Sequence, residues 1–526
     1  MDENPAERVI SFIDLGTNSV RLLIVRLNPN FSYSILRQQK DSIRLGEKEF
    51  RRGKLDEDAI EKAVDICRNY TEISSNFGLD EIIAVATSAA REASNGKKLI
   101  KRLKNFAGID VKIISGTEEA RLIYLGVSSG IHIEEKNCLF IDIGGGSTEL
   151  IVGNQIDYHL LKSIKIGALR TTEKFGLGEL TGPVSGETLD SVYRHVKSKI
   201  VYAVRHISEY KISDAYGSSG TILSLTDIAY NLNSGKRKDE DKGAITINDI
   251  EYILKLLSER DIEERKKIPG LNPDRADIII AGCIILHALM KESGIGSIKA
   301  SDRSLRDGLL ADYLLNQPGF SYRRELPVRD RSVRQLGKSC RINEAHANDV
   351  VRLSCELFDT ARKCGLHSYG KPEREYLRHA AYLHDIGQFI SFSRHQQHTH
   401  YIITNAPLLG FNESEINIIG LIARHHRKKM PKKKDPLFNS LDEESIQAIT
   451  ILSLFLRFAE HMERSHDGRV KHARLIKDGD GFAIEMESKK DCTLEVWALE
   501  EDAKIFEKIV SKKLMIVSKI DLSKKK

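Results

Sequence analysis

One short signature occurs twice in this chain and limits what it can fold into. The first copy reads Ile13-Asp14-Leu15-Gly16-Thr17-Asn18-Ser19. The second reads Ile141-Asp142-Ile143-Gly144-Gly145-Gly146-Ser147-Thr148-Glu149. Each is an apolar run, then Asp-x-Gly, then small hydroxyl or amide residues. A second β-rich stretch follows each copy, Val20–Leu27 and Leu150–Val152. Two strand–turn–strand units with a carboxylate at the turn imply two related lobes facing one cleft. An Asp at the end of a buried strand costs stability unless it is hydrogen-bonded, paired or metal-bound. The glycines after it let backbone N–H groups approach an oxyanion closely. Two facing carboxylates also suit Mg²⁺, which takes one or two of them together with phosphate oxygens and water. The cleft is therefore expected to bind phosphate and a divalent cation.

Other phosphate-binding designs are excluded. No Gly-x-x-x-x-Gly-Lys-Ser/Thr is present, and Gly144-Gly145-Gly146 lacks the spacing of a dinucleotide fingerprint. The length of 526 residues exceeds one core and calls for several domains. A net charge of +6 permits an anionic substrate without demanding nucleic acid, and no specific nucleic-acid partner is expected. The densest basic run, Arg424 to Lys434, reads equally as a solvated loop or a polyanion patch. No apolar run reaches the ~18 residues of a membrane span, and Met1-Asp2-Glu3-Asn4-Pro5 is polar and acidic, unlike a signal peptide. Seven cysteines without a Cys-x-x-Cys pair fit free thiols in a reducing cytoplasm. The expected protein is cytoplasmic and makes no membrane contact.

Strands and helices alternate through the first 126 residues. Val9–Ile13, Val20–Leu27, Ser32–Arg37, Glu81–Ala86 and Val111–Ile114 read as strands, and Asp56 to Phe77 as an amphipathic helix. Thr117 is expected to cap the next helix, with Glu118 and Glu119 in its first turn. The second segment has the strand Cys138–Ile143, the turn Gly217-Ser218-Ser219-Gly220-Thr221 opening a helix, an apolar helix Ala276–Met290 and a strand Ser297–Ala300. Asn316 through Pro327 reads as a linker. Helical, histidine-rich sequence follows. The tail is expected to run as strands Phe482–Met486 and Thr493–Ala498, then a helix Glu500–Lys513.

Two further stretches carry chemistry. Ser115-Gly116-Thr117-Glu118-Glu119-Ala120-Arg121-Leu122 puts carboxylates in the first turn of a helix, at the strand edge where α/β sheets bind ligands. One of them could orient water for attack on phosphorus. Thr87-Ser88-Ala89-Ala90-Arg91 offers hydroxyls and a guanidinium fork for phosphate.

Taken in order, these pieces, with Gly217 to Thr221 and Ser301 to Gly308, resemble the exopolyphosphatase/guanosine pentaphosphate phosphohydrolase (Ppx/GppA) family over at least residues 10 to 310. The resemblance implies an α/β fold, a duplicated actin-like (ribonuclease H-like, ASKHA) ATPase fold in two lobes. An all-α HD-like domain and a small α+β C-terminal domain would follow. The implied divisions are residues 1–126, 127–318, 319–470 and 471–526. It further implies that Glu119 is the general base, with Glu149 aligning the water. Asp14, Asp142 and Glu149 would hold Mg²⁺, with Mn²⁺ as an alternative. Thr17, Asn18, Ser19, Arg91, Gly144, Gly145, Gly146, Ser147, Gly217, Ser219 and Gly220 would grip phosphate.

Asn343 to His346, Tyr382 to Gly387 and Arg457 to His461 resemble the HD-domain fold of metal phosphohydrolases, with His346, His384, Asp385 and Glu460 as a second metal set. There Glu460 replaces the usual Asp. Longer family members carry this domain at the same place, often catalytically degenerate, and dimerise through it. The implied activity is release of terminal orthophosphate from inorganic polyphosphate, with guanosine pentaphosphate as the alternative substrate. An actin-like ATPase or kinase, and a non-catalytic nucleotide sensor, are the competing classes.

Overall fold

The structure, a computed structural model, describes residues 7–520 apart from positions 48, 134–135, 181, 233–242, 318–327, 407, 409, 429, 432–435, 439–440 and 489. Most of the expected linker and part of the basic run lie outside the described residues. Two compact units emerge, Met1–Val328 and Arg329–Lys526.

Among the described residues, the first unit holds two sheets. One has strands β1 (Arg8–Leu15), β2 (Ser19–Leu27), β3 (Tyr33–Ser42), β4 (Glu81–Ala86) and β5 (Val111–Ile113), in the order β3-β2-β1-β4-β5. β2 runs antiparallel to both its neighbours, whereas β1, β4 and β5 are parallel. The other has β6 (Cys138–Ile143), β7 (Thr148–Gly153), β8 (Tyr158–Ile164), β9 (Asp214–Ser218), β10 (Ala244–Thr246) and β11 (Ser297–Ala300). Its order, read as β8-β7-β6-β9-β11 with β10 at the edge, repeats the first with the same strand directions. The chain thus traces one sheet pattern twice. β6 and β7 are buried at every position, which explains the apolar runs Cys138–Ile141 and Leu150–Val152.

Helices Gly116–Ser128 and Leu305–Leu315 lie between the sheets. Ile10 and Phe12 of β1, Phe140 of β6, Ile151 of β7, and Leu122, Leu309 and Leu310 of these helices form one buried cluster. Gly308 permits this contact, since a Cβ there would stand 1.8 Å from the Leu122 carbonyl oxygen. The outer faces are covered by helix Glu57–Ser75 on the first sheet, and by helices Gly186–Ile207 and Ile279–Ser293 on the second. The expected cap at Thr117 is corrected. Ser115 is the N-cap, and its hydroxyl accepts from the Glu118 N–H.

Among the described residues, the helix Val328–Ser339 opens the second unit at its boundary, and Glu344–Lys363, Lys371–Leu383, His395–Asn405, Glu413–Arg424 and Glu443–Met462 follow, with shorter turns between them. A sheet follows, of β12 (Val470–Asp478), β13 (Gly481–Ser488) and β14 (Leu514–Ile520), ordered β12-β13-β14. Leu475, Ile484 and Phe506 join Phe358, Leu377 and Phe455 in one core. Residues 493–498 are not a strand. They begin the helix Thr493–Val510, whose buried Glu495, Ala498, Leu499, Asp502 and Phe506 follow helical spacing. That helix stops short of Lys513, and the apolar run after it forms β14. The His384-Asp385 pair sits just beyond helix Lys371–Leu383, with His384 as C-cap.

Candidate active site

The two Asp-x-Gly turns close identically. Gly16 N–H donates to Ser19 O at 3.0 Å, and Gly144 N–H to Ser147 O at 2.9 Å. Across the first hairpin Asp14 faces Arg21; across the second Asp142 faces Glu149. Both partners lie seven residues beyond the aspartate, so the duplication holds the register and reverses the charge at one position. The Ser218 hydroxyl, on the other side of β6, donates to Asp142 Oδ2 at 2.5 Å, and the Ser163 hydroxyl donates to Glu149 Oε1 at 2.7 Å. Glu119 enters from the first turn of helix Gly116–Ser128. Arg91 Nη1 lies 3.0 Å from its Oε2 and also donates to the Ile114 carbonyl.

These elements enclose a cleft of about 90 Å³. Asp14, Thr17, Asn18, Ser19, Glu119, Asp142, Gly144, Gly145, Gly146, Ser147, Ser219 and Gly220 line it. Arg91 stands behind Glu119 rather than in the wall. Glu149 is buried behind Asp142. Gly217 lies one step back in β9, where a Cβ would meet Ile222 and Ile298. The glycine turn of the second lobe meets the first lobe directly: a Cβ on Gly146 would stand 2.6 Å from Ser88 Oγ and 2.7 Å from Phe50 Cζ. Ser219 adopts φ 86°, a strained backbone for serine, at the mouth of the following helix, and its buried hydroxyl has no partner.

Four carboxylates, Asp14, Glu119, Asp142 and Glu149, are buried here. Burial pushes Asp14 up to about 6, against the pull of Arg21 and Arg306. It pushes Glu119 up to about 7 although Arg91 holds it down. Asp142 is also raised by burial, opposed by the Ser218 hydroxyl. Glu149 is raised well above the carboxylate range by burial, then by repulsion from Glu119 and Asp142. Asp14 Oδ1 has no hydrogen-bond partner. Such crowded, desolvated negative charge calls for a cation or a shared proton. The all-oxygen donor set fits a hard divalent ion.

The cleft also holds cations that were not read from the sequence. Arg21 donates from Nη1 to Ser304 Oγ at 2.9 Å. Arg275 reaches Thr221 Oγ1 at 3.4 Å, and burial pushes it down to about 10. Both line the cleft, with Thr87, Thr221 and Ser304. Arg21 was legible, lying opposite Asp14 in a hairpin whose twin carries Glu149. Arg275 had no local signal.

In the second unit, His346, His384, Asp385 and Glu460 do converge. Glu460 Oε2 lies 3.1 Å from Nε2 of both His346 and His384. His395 and His426 join them.

A model of the Ppx/GppA phosphatase family matches residues 23–317, and a model of domain III of that family matches residues 328–503. The guanosine-5′-triphosphate,3′-diphosphate pyrophosphatase of Photobacterium profundum is 27% identical over 431 residues, 82% of this chain and 82% of that protein. An exopolyphosphatase crystal structure from Cytophaga hutchinsonii is 28% identical, covers 58% of this chain and 97% of its own, and gives a TM-score of 0.54. An exopolyphosphatase-like protein gives 0.53 at 26% identity, covering 59% of this chain and 98% of its own.

Proposed function

We propose that this chain, which belongs to the Ppx/GppA phosphatase family, hydrolyses terminal phosphoanhydride bonds, releasing orthophosphate from inorganic polyphosphate. Guanosine pentaphosphate is the second reading, favoured by the Photobacterium relative that matches most of the chain. The carrying observation is Glu119: a buried carboxylate in the cleft wall, pushed up to about 7 and held by Arg91. A base titrating near the working pH is effective at taking a proton from water.

The N–H groups and hydroxyls of the turns at Gly144 to Ser147 and Thr17 to Ser19 hold the terminal phosphate, as neutral donors close to an oxyanion do. Arg21 and Arg275 balance its charge. Glu149, fixed by Ser163, orients the water from which Glu119 takes the proton. Asp14, Asp142 and Glu149 are the residues that would hold Mg²⁺, with Mn²⁺ as the alternative. When bound, that ion neutralises charge on the phosphate oxygens. The opposite charges of Arg21 and Glu149 at matching positions support different roles for the two, charge balance at Arg21 and water alignment at Glu149.

The four-part division at 126, 318 and 470, the HD-like reading of the helical part, a cytoplasmic home for the seven free cysteines and dimerisation through the C-terminal half belong to the same proposal. No helix among the described residues is long and apolar enough to cross a membrane. A phosphate-release panel tests the reading: long-chain polyphosphate, guanosine pentaphosphate and ATP, each with Mg²⁺ and with Mn²⁺. Release from polyphosphate or guanosine pentaphosphate well above ATP is expected. Preference for ATP would point to an actin-like ATPase, and inertness toward all three to a sensor.

A further inference from the structure

The glycine turn of the second lobe is held from behind by helix Ala168–Phe175, whose N-cap is Gly167. A Cβ on Gly167 would stand 2.4 Å from Gly145 O and 2.6 Å from Gly146 N, so glycine is what lets the helix start press against the turn. Three consecutive carbonyls of the turn are then taken in order. Ala168 N–H donates to Gly144 O at 2.9 Å and Arg170 N–H to Gly145 O at 3.0 Å. Arg170 Nε donates to Gly146 O at 2.6 Å. In a trans peptide the carbonyl and the next N–H point opposite ways. Fixing these carbonyls therefore turns the N–H groups of Gly145, Gly146 and Ser147 away from the helix. All three residues line the cleft. Among the described residues, none of the three N–H groups meets a main-chain acceptor, an arrangement that suits an oxyanion. Two of the carbonyls are held by main chain; the third depends on one side chain.

That side chain also reaches the first lobe. Arg170 Nη2 donates to Glu92 Oε1 at 2.7 Å, and the guanidinium carbon lies 3.9 Å from the centre of the Phe50 ring. Ser88 Oγ donates to the same Glu92 oxygen at 3.1 Å, and Lys165 Nζ lies 3.1 Å from the other. Burial pushes Glu92 up, yet Arg170 and Lys165 hold it below the usual carboxylate range, so it stays charged. Glu92 ends helix Ser88–Glu92, next to Arg91, which holds Glu119 at 3.0 Å. One polar chain thus runs from the Gly146 carbonyl through Arg170, Glu92 and Arg91 to Glu119. A planar fork can serve a carbonyl and a carboxylate at once in fixed geometry, which an ammonium cannot.

We propose that Arg170 is a positioning residue, anchored by Glu92, that aims Ser147 N–H at the terminal phosphate and keeps the phosphate-gripping turn in register with Glu119 across the two lobes. This rests on the hydrolysis proposed above. Arg170 itself touches neither phosphate nor water.

Arg170→Lys keeps the charge and removes the fork. On whichever of polyphosphate and guanosine pentaphosphate the wild type hydrolyses, kcat should fall ~10²–10³-fold, as for one lost oxyanion donor, with KM little changed. The acidic limb of kcat/KM against pH should stay in place, because Arg91 still holds Glu119. The double variant with Glu92→Gln should lose no more than Arg170→Lys alone; additive losses would remove Glu92 from the role. A readout without turnover is the Ser147 amide signal of ¹⁵N-serine-labelled protein, identified by its disappearance in Ser147→Ala. Orthophosphate with Mg²⁺ should shift it in wild type and leave it unmoved in Arg170→Lys. A shift in wild type without phosphate release from any substrate would sink the hydrolase reading alone. A shift unchanged in the folded Arg170→Lys chain, or absent in wild type, would overturn the positioning role. If Arg170→Lys fails to fold by circular dichroism, Glu92→Gln decides: the shift should shrink, and an undiminished one would overturn the pair.

Discussion

Replacing Glu119 by glutamine keeps the side chain's shape and removes its charge and its basicity. Arg91 Nη1 donates to Glu119 Oε2 at 3.0 Å and also to the Ile114 carbonyl, and a glutamine carbonyl oxygen can accept the same bond. The guanidinium and the helix start should therefore stay in place. A general base contributes ~10²–10⁴ in rate, equivalent to ~2.7–5.4 kcal/mol of barrier. Turnover should fall by that factor with KM nearly unchanged, because the phosphate-gripping turns are untouched.

The same variant has a stability signature of defined sign. Burial moves Glu119 from 4.5 to about 7, so the folded chain holds this proton more tightly than the unfolded one. Its contribution is fully present below about pH 4.5 and is lost as pH rises through about 7. That span is worth ~3 kcal/mol, less the charge-assisted bond to Arg91 that the substitution weakens. Thermal unfolding in chelator should show Glu119→Gln gaining on wild type between pH 5 and pH 8. Near-wild-type phosphate release from the variant would remove Glu119 from the base role. A stability difference flat with pH would refute the buried, proton-retaining carboxylate.

Other outcomes follow from the same geometry. Arg91→Ala removes the positive charge that holds Glu119 down, so the acidic limb of kcat/KM against pH should move up by ~1 unit or more. Asp142→Asn withdraws one carboxylate from the cation set and should raise the Mg²⁺ concentration for half-maximal phosphate release by roughly tenfold or more, ~1.4 kcal/mol of binding. Gly146→Ala would place a Cβ 2.6 Å from Ser88 Oγ and should cost ~1–3 kcal/mol by overpacking, read as a lowered Tm with reduced activity.

The duplicated hairpins were legible because buried central strands leave unbroken apolar runs, and Asp-x-Gly stands out at their ends. Arg21 could have been found the same way. Once Asp142 and Glu149 are paired across a hairpin, the same offset from Asp14 lands on Arg21. Arg275 could not, since only the tertiary fold carries it to Thr221. The error at 493–498 has a clear cause. Leu494, Val496 and Ala498 alternate like a strand, while the buried helical stripe is disguised by two acids. Glu495 accepts a hydrogen bond from Ser465, and Asp502 pairs with Arg457 and His461. Partners distant in sequence make those acids tolerable inside, and no local pattern shows them. Of the histidines in the helical unit, His346 and His384 were named from their motifs and do converge, whereas His395 and His426 join them only through the tertiary fold.

The central claim is that water, deprotonated at Glu119, attacks the terminal phosphate in the cleft between the two lobes. Mass spectrometry of orthophosphate released from polyphosphate in ¹⁸O-water tests it directly. Wild-type protein should place one ¹⁸O in each orthophosphate released, and Glu119→Gln should release it ~10² to 10⁴ times more slowly. Orthophosphate without ¹⁸O, or labelled release at the wild-type rate from the variant, would contradict the account.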